Sequence, residues 1–260
     1  MIYYSIILND ELDFVKLQLD VNYDYVDKFV ITESGQTYSG NKKENHFYKN
    51  RDAFSKYNDK IIYLDVNLDY FELIKNYPYN IGKLDLDIWS REQRQRNYLF
   101  EQIDFNIDDI VINVDVDEII FLEKCKDKII KDKVNYFNLD HRKYYFNSKC
   151  LKHKKTGWQR SVAFNPLIYK KYIFNVWNIR HFNDFIQDIN VINNAGYHFS
   201  WCVNIENKIK SFSHQELNDP KTIKKFINYK HILENCEIVN DLPDFIKLNY
   251  SQYFYKDDVL

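Results

Sequence analysis

Apolar and polar positions in the first third of the chain alternate in the way that β-α-β units do. Residues 2–8 and 29–31 are short apolar runs of strand length, and residues 60–64 form a third. Between the first two runs, residues 12–23 repeat apolar side chains at spacings of three and four, as one helix face does. The pattern therefore predicts a strand, a helix and two further strands.

A fourth apolar run, residues 110–114, ends abruptly in acidic residues. A helix is predicted just before it, at residues 90–100, with Ser90 as its N-cap. A polar loop at residues 32–40 follows the second strand. Strands that alternate with helices up to residue 120 predict a Rossmann-like, mostly parallel sheet. In such a sheet the loop and the acidic residues lie at the same edge.

The pattern changes in the second half of the chain. Residues 136–139, 144–146, 162–164 and 167–169 are short aromatic runs separated by turns, which predicts a short antiparallel section. C-terminal helices follow this section in the sequence.

Two such helices are predicted. One covers residues 204–212. The other begins at Asp219 and Pro220 and runs to residue 235, because a proline after an acidic cap is a common helix start. No repeat, low-complexity linker or domain boundary is visible, so a single domain is expected.

The charge balance is close to neutral, with 36 Lys and Arg residues against 38 Asp and Glu residues. The chain therefore lacks the basic patch typical of nucleic-acid binding, and no nucleic-acid partner is expected. The N-terminal residues are not expected to form a signal peptide, because they lack a basic segment and reach Asn9, Asp10 and Glu11 early. No apolar run approaches the roughly 20 residues that span a bilayer. We expect a soluble, cytoplasmic protein with no membrane span.

The candidate chemistry lies at the end of the fourth apolar run, where Asp115, Asp117 and Glu118 are spaced D-x-D-E. Ionised carboxylates are costly to bury without compensation, so these acids should emerge at the carboxyl edge of the sheet. Asp115 and Asp117 lie on one side of an extended backbone. Two hard oxygen ligands so placed suit Mg²⁺ or Mn²⁺ that carries a diphosphate.

Several short segments in this chain resemble a known family, and the central one is Asp115-Val116-Asp117-Glu118. The segments occur in one order: residues 9–13, 26–34, 37–40, 91–97, 115–119, 195–200 and 208–216. Together they resemble glycosyltransferase family 17, which includes a β-1,4-mannosyl-glycoprotein 4-β-N-acetylglucosaminyltransferase. The resemblance extends over residues 1–230.

The resemblance implies a GT-A fold, a nucleotide-sugar donor, a divalent cation (Mn²⁺ or Mg²⁺) and inversion at the anomeric carbon. The expected donor is a UDP-sugar, with N-acetylglucosamine as a candidate sugar, and the expected acceptor is a glycan or glycoconjugate. The nucleotide-binding half would be residues 1–120, and the acceptor-side half residues 121–260. Two positions depart from the family pattern, because Ile120 replaces an expected proline and Gln18 an expected basic residue.

The metal site is expected to use Asp117 as a direct ligand. Asp115 is expected at the ribose or at a metal-bound water, and Glu118 is expected to orient the loop. The resemblance also implies a histidine ligand from the C-terminal half, and an imidazole suits Mn²⁺ better than Mg²⁺. We assign this ligand to His198, in a predicted turn, and His214 is the competing candidate.

Five further residues are expected at the donor. Arg96 and Asn97 lie on the helix before the acidic strand, where Arg96 could bind phosphate and Asn97 the base. Glu33 and Thr37, in the loop after the second strand, are expected at the uracil or the ribose. Lys208 is expected at the diphosphate. Exposed, solvated helix positions are the alternative interpretation of Arg96 and Lys208.

An inverting transfer also needs a general base near the acceptor hydroxyl, and this base is usually a carboxylate. Asp184 is the favoured candidate, and Asp188 and Glu216 are alternatives. Trp158 and Trp177 could stack on an acceptor sugar, although core packing would also explain a tryptophan.

Two other functions remain open from the sequence. Acids at strand ends also serve metal-dependent phosphohydrolases and nucleases, which need a second metal about 4 Å from the first. A carbohydrate-binding protein with the same fold and no catalysis is the other alternative.

Overall fold

The computed structural model describes residues 1–70, 86–146, 149–153, 157–171, 176–181, 186, 188–200, 205–226, 236–239 and 242–254. These residues form an α/β fold. The strands are β1 (Ile2–Ile7), β2 (Lys28–Glu33), β3 (Ile61–Asp65), β4 (Ile110–Asp115), β5 (Glu118–Ile120), β6 (Val134–Phe146), β7 (Lys149–His153), β8 (Val162–Phe164), β9 (Ile189–Ser200) and β10 (Cys236–Val239). The α-helices are α1 (Leu12–Asn22), α2 (His46–Asn50), α3 (Leu86–Asn97), α4 (Leu99–Gln102), α5 (Leu122–Cys125), α6 (Pro166–Lys171), α7 (Val176–His181), α8 (Ile205–Ser211), α9 (Pro220–Phe226) and α10 (Asp244–Phe254).

The described strands form one mixed sheet. Eight of them lie in the order β10-β7-β6-β8-β4-β1-β2-β3, and β9 pairs with β5 and β6 beside this row. The four strands predicted in the first half are β1 to β4, and they are parallel to one another where they pair. The α/β class and this parallel half therefore agree with the sequence.

The prediction of a mostly parallel sheet is wrong. β8 is antiparallel to β4 and β6, β7 is antiparallel to β6 and β10, and β5 is antiparallel to β9. Parallel neighbours need a long crossover between them. Only two residues separate β6 from β7 in the chain, so this connection favours antiparallel pairing.

The sheet buries apolar side chains on both faces, because successive strand residues point to opposite sides. On one face, Tyr4 of β1 packs in a cluster with Phe14 of α1 and Ile246 of α10. On the other face, Val111 of β4 belongs to a second cluster with Ile179 of α7. Helices thus cover both sides of the sheet, and of these three only α1 was predicted from the sequence.

One predicted strand is a helix. Residues 167–169 belong to α6, which begins at Pro166. Asn165 Oδ1 accepts a hydrogen bond from Leu167 N at 2.8 Å. A capping asparagine followed by proline starts a helix, and this local signal overrides the short apolar run.

Of the two predicted helix starts, the N-cap at Ser90 is wrong and the cap at Asp219 is confirmed. Ser90, predicted as an N-cap, lies inside α3 and donates from Oγ to Leu86 O at 2.6 Å. Asp219 caps α9 as predicted, because its Oδ1 accepts from the backbone N of Lys221 and Thr222 at 2.9 and 3.0 Å. The helix was predicted to run to residue 235, and residues 227–235 lie outside the described residues. No helix in the described part of the chain combines the length and apolar character needed to cross a bilayer.

The strand β9 was not predicted, and His198 lies in it rather than in a turn. Asn194 in this strand has a positive φ of 55°, and the pairing with β6 shifts register nearby. Gly196 has a φ of 157°, and a Cβ there would lie 1.9 Å from Ile119 O. Glycine therefore permits the close approach of β9 and β5. Residues 144–146 continue β6 and do not form a separate strand.

Candidate active site

A cavity of about 370 Å³ lies at the carboxyl edge of β1 and β4. Asn9 and Glu11, which follow β1, line it together with Asp115 and Asp117 at the end of β4 and with Lys208 of α8. Because the carboxyl ends of parallel strands meet at one edge, side chains that are distant in sequence converge there. The acidic residues thus lie at the edge that the sequence predicts.

Asp115 is held by two arginines. Its Oδ1 accepts a hydrogen bond from Arg96 Nη2 at 2.5 Å, and its Oδ2 accepts one from Arg180 Nη2 at 2.9 Å. Arg96 also donates from Nε and Nη2 to Glu92 Oε1, at 3.1 and 2.8 Å. Arg96 comes from α3 and Arg180 from α7, so two helices fix the end of β4.

The same contacts control the charge of Asp115. Burial opposes its ionisation, but the charges of Arg180 and Arg96 outweigh burial and hold the pKa of Asp115 well below its usual value. Burial likewise lowers the pKa of Arg96, but Asp115 and Glu92 raise that pKa by more. Asp115 is therefore a permanently charged group whose two oxygens are both engaged.

Glu118 is completely buried, and it accepts hydrogen bonds at both oxygens. Arg180 Nη2 donates to Oε1 at 3.0 Å, and Arg180 Nη1 donates to Oε2 at 3.1 Å. Ser161 Oγ and the backbone N of Asp115 each donate to Oε2 at 2.8 Å, and Trp158 Nε1 donates to Oε1. Glu118 closes the turn between β4 and β5, which fits the loop-orienting role expected for it.

Asp117 has a different environment from Asp115. Lys208 Nζ donates to Asp117 Oδ2 at 2.6 Å, and Lys208 Nζ also lies 3.6 Å from Glu11 Oε1. The three side chains are 7%, 17% and 7% exposed for Asp117, Lys208 and Glu11. Burial raises the pKa of Glu11, and the charge of Lys208 opposes that rise. One lysine thus provides the counter-charge for two largely buried carboxylates that line the cavity.

His198 lies beside Asp117 in this cavity. Its Nε2 is 3.6 Å from Asp117 Oδ1, and its ring stacks on Trp158 with centroids 4.3 Å apart. Pairing of β5 with β9 places His198 opposite Glu118. Burial lowers the pKa of His198 despite the neighbouring acids, which favours the neutral imidazole that can bind a metal ion.

Glu33 and Thr37 lie away from the cavity lining. Glu33 is completely buried; both its oxygens accept from the backbone N of Phe47 at 3.1 Å, and Oε2 also accepts from Tyr63 OH. These bonds satisfy the N-terminus of α2. Thr37 Oγ1 accepts from Asn41 N at 3.0 Å and closes its own loop. Side chains expected at the uracil or ribose thus bind the chain's own backbone.

Asn97 also serves the protein framework. Its Oδ1 accepts from the backbone N of Val176 at 3.2 Å, at the start of α7. That helix carries Arg180, which the sequence reasoning missed because no motif or spacing marks it. Glu11 was missed as well, although it lies in residues 9–13, the first segment of the family resemblance.

The three expected general bases differ in their position relative to the cavity. Asp184, the favoured candidate, lies outside the described residues, as does the Trp177 side chain. Asp188 is exposed and lies away from the cavity lining. Glu216 Oε1 is 2.7 Å from Nδ1 of His214, which does line the cavity.

Asp117 and His198 are close enough in the cavity to bind one divalent cation together. Among the described residues, no three His, Cys, Asp or Glu side chains form a ready metal-binding group. Asp117 Oδ1 and His198 Nε2 nevertheless lie 3.6 Å apart. Two ligands that are each about 2.1 Å from one cation lie about 3 to 4 Å apart, so this pair fits a cation as two of its ligands. Asp115 could join them only by sharing oxygens that already bind two arginines.

Comparison with known proteins gives one family. The family model described as Glycosyltransferase family 17 matches residues 1–258. No curated protein matches the sequence. Among solved structures, the chain is similar to CTP:phosphocholine cytidylyltransferase from Streptococcus pneumoniae at 9% identity, with a TM-score of 0.36, over 75% of this chain and 90% of that one. At this TM-score the similarity supports no conclusion.

Proposed function

The chain belongs to glycosyltransferase family 17, and from this premise we propose a metal-dependent, inverting transfer of a sugar from a nucleotide-sugar donor. The donor we propose is UDP-linked, with N-acetylglucosamine as the first sugar to test, and the acceptor is a glycan or glycoconjugate. The sheet and its acidic edge support a GT-A type of fold. Membership of the family favours sugar transfer over the phosphohydrolase, nuclease and inactive alternatives.

The single observation that carries the proposal is the group formed by Asp117, Lys208 and His198 in the cavity. A nucleoside diphosphate leaves as a polyanion, so the site must offer positive charge to it. Lys208 supplies one such charge, and its flexible stem allows its ammonium to turn from Asp117 to a phosphate. Asp117 and His198 would hold a divalent cation, which supplies Lewis acidity to the leaving diphosphate when bound.

The residues behind this group keep it in place. Arg180 and Arg96 hold Asp115, and Glu118 closes the turn that carries Asp117. A rigid support reduces the reorganisation needed when charge develops on the leaving group. We therefore assign Asp115 to the support of the turn and to any contact that the nucleotide makes beside it.

The test is a thermal-shift screen of UDP, GDP, CDP and UDP-sugars, each with and without Mn²⁺. Ligand at 100 times its Kd stabilises a protein by about 2.7 kcal/mol, so a binding nucleotide raises the Tm measurably. We expect UDP and UDP-sugars to raise the Tm only when Mn²⁺ is present. The variant D117N should lose this increment, and D24N, which changes an exposed aspartate away from the cavity, should keep it. The proposal fails if no nucleoside diphosphate gives a metal-dependent shift.

A further inference from the structure

We propose that His214 is the general base that takes the proton from the acceptor hydroxyl, and that Glu216 holds its imidazole for this step. The inference rests on the proposed function, because an inverting displacement requires a base at the attacking oxygen. It replaces the carboxylate bases expected from the sequence with a histidine and carboxylate pair that the fold brings to the cavity.

The first support is the geometry of the pair. His214 Nδ1 lies 2.7 Å from Glu216 Oε1, and His214 lines the cavity. A carboxylate at Nδ1 favours the tautomer whose proton is on Nδ1, and this tautomer leaves Nε2 as the proton acceptor. His214 is 51% exposed, whereas Asp117 deeper in the cavity is 7% exposed. The base thus lies toward solvent, from which an acceptor arrives.

The second support is the rigid attachment of the turn that carries His214. Its ring contacts Trp89 edge-on with centroids 4.9 Å apart. Gln215 Nε2 donates to the carbonyl oxygens of Ile209 and Phe212, at 2.8 Å each. A catalytic base needs such fixed placement, because an error of 1 Å lowers the rate by about 100-fold.

The turn is also joined to the site below it. Ser213 Oγ donates to Glu92 Oε2, and Glu92 binds Arg96, which in turn binds Asp115. A continuous chain of hydrogen bonds therefore links the residue before His214 to the end of β4. This chain fixes the distance between the proposed base and the acidic turn.

The third support comes from the acids that share the cavity. Glu92 and Asp115 are bound by arginine, and Asp117 is bound by Lys208. Glu11 lies 3.6 Å from Lys208, on the side that the proposal gives to the diphosphate. Inversion requires the nucleophile to attack from the side opposite the leaving group. None of these four carboxylates combines a free oxygen with that position.

The proposed displacement exchanges one bond at the anomeric carbon for another and moves one proton. The acceptor oxygen forms a bond to the anomeric carbon while its proton moves to His214 Nε2. The bond from the anomeric carbon to the phosphate oxygen breaks, and its electron pair leaves with the nucleoside diphosphate. The imidazolium faces Glu216. The other charged side chains that line the cavity are the acids Glu11, Glu92, Asp115 and Asp117 and the bases Arg96, Arg160, Arg180 and Lys208. Its proton then passes to solvent at the cavity mouth.

The test uses UDP-N-acetylglucosamine with Mn²⁺ and water as the acceptor, and it follows UDP release. H214A should lower kcat by about 100-fold or more, the usual contribution of a general base. Its KM and the metal-dependent Tm shift by UDP should stay within about twofold of wild type, because His214 acts on the acceptor. Added imidazole should restore part of the H214A rate, because it can occupy the space left beside Trp89.

Glu216 is a positioning residue and has its own readout. E216Q should lower kcat by about 10-fold with KM unchanged, and E216D should recover part of the loss, because the carboxylate rather than the chain length is needed. The matched controls are H46A, on α2, and E206Q, which removes an exposed ion pair with Lys210. Both controls should retain wild-type kcat.

Three outcomes would overturn the inference. H214A could hydrolyse the donor at the wild-type rate, which would exclude a base role. It could lose the metal-dependent UDP shift, which would place His214 at the metal. It could also fail to respond to imidazole while H214Q, which retains contact with Trp89, keeps full activity. If wild-type protein shows no metal-dependent shift, the proposed function fails first, so the two failures are distinguishable.

Discussion

The two aspartates of the D-x-D turn are separated by one residue and bind different cations. Asp115 and Glu118, the arginine-held acids, are fixed by Arg96 and Arg180 and have every oxygen engaged. Asp117, by contrast, is one of the lysine-held acids together with Glu11. One short segment therefore contains both arginine-held acids and a lysine-held acid.

The two groups of acids differ because one group binds arginine side chains and the other binds a lysine side chain. A guanidinium presents several N–H groups in a rigid fork, so it fixes both the charge and the direction of a carboxylate. An ammonium on a flexible stem holds a carboxylate by a single contact and can exchange it for another anion. We infer that the arginine-held acids support the turn and that the lysine-held acids meet ligands.

The largest effect is expected for R180M. Arg180 is 1% exposed and its partner Glu118 is completely buried, so the variant leaves a buried charge without compensation. Loss of one partner of a buried ion pair costs about 3–5 kcal/mol of unfolding free energy. K208M should cost less, about 2 kcal/mol, because Asp117 and Glu11 are largely buried but border a cavity that water can enter. Urea unfolding of both variants measures the difference, and equal losses would contradict the comparison.

The same carboxylate-to-amide change should have different effects at Asp115 and at Asp117. D115N should lower the unfolding free energy by about 2 kcal/mol, because it weakens two charge-assisted hydrogen bonds. D117N should change the unfolding free energy by less than about 1 kcal/mol, because Lys208 keeps Glu11 as a partner and an amide oxygen can still accept its hydrogen bond. It should still lose metal-dependent UDP binding. Chemical denaturation and thermal shift on the same samples give both quantities. A D117N variant as unstable as D115N would show that both acids are structural.

A third carboxylate tests whether dense hydrogen bonding alone makes an acid structural. Asp20 on α1 lies outside the cavity and accepts from Lys16 at 2.6 Å, Lys56 at 2.8 Å, Tyr250 at 2.6 Å and Tyr57. Burial opposes ionisation of Asp20, but the hydrogen bonds from Lys16, Lys56 and the tyrosines hold its pKa well below its usual value.

The pH dependence of D20N follows from that direction. A lowered native-state pKa gives stability that is present above the unfolded-state pKa of about 3.9 and is lost as the pH falls toward the native-state value. D20N should therefore cost about 1–2 kcal/mol at pH 7, and the gap to wild type should narrow below about pH 4. Urea titrations at pH 7, 5 and 3 measure it. If the difference in unfolding free energy between D20N and wild type does not change with pH, the loss of stability arises from packing and not from the charge of Asp20.

The smallest effect is expected for W158F. Phenylalanine keeps an aromatic ring against His198 but removes the N–H that Trp158 donates to Glu118. Glu118 retains the hydrogen bonds from Arg180 and Ser161, so the loss should be about 1 kcal/mol. A loss as large as that of R180M would mean that Trp158 holds the turn as firmly as Arg180 does.

Much of the first half could be predicted from the sequence. β1, α1, β2, β3 and β4 were identified because strand and helix periodicity are local properties of the chain. The acids at the end of β4 were located because ionised groups cannot remain in the strand core. The sequence also carried the family resemblance, which the match over residues 1–258 supports.

The partners of each side chain could not be predicted in this way. Glu33, Thr37 and Asn97 were expected at a donor, but the structure uses them to bind backbone N–H groups nearby. β9 was missed because its asparagines and Gly196 are residue types that are common in turns. Its strand conformation depends on pairing with β5 and β6, which come from distant parts of the chain.

Local pattern along the chain accounts for the strand β4 and for the acids Asp115, Asp117 and Glu118 that follow it. Which of these acids binds arginine and which binds lysine depends on tertiary contacts. Arg180 reaches Asp115 from α7, 65 positions later in the chain, and Lys208 reaches Asp117 from α8, 91 positions later. Local pattern can place a charge at the end of a strand, whereas its counter-charge is chosen by packing between segments that are distant in sequence.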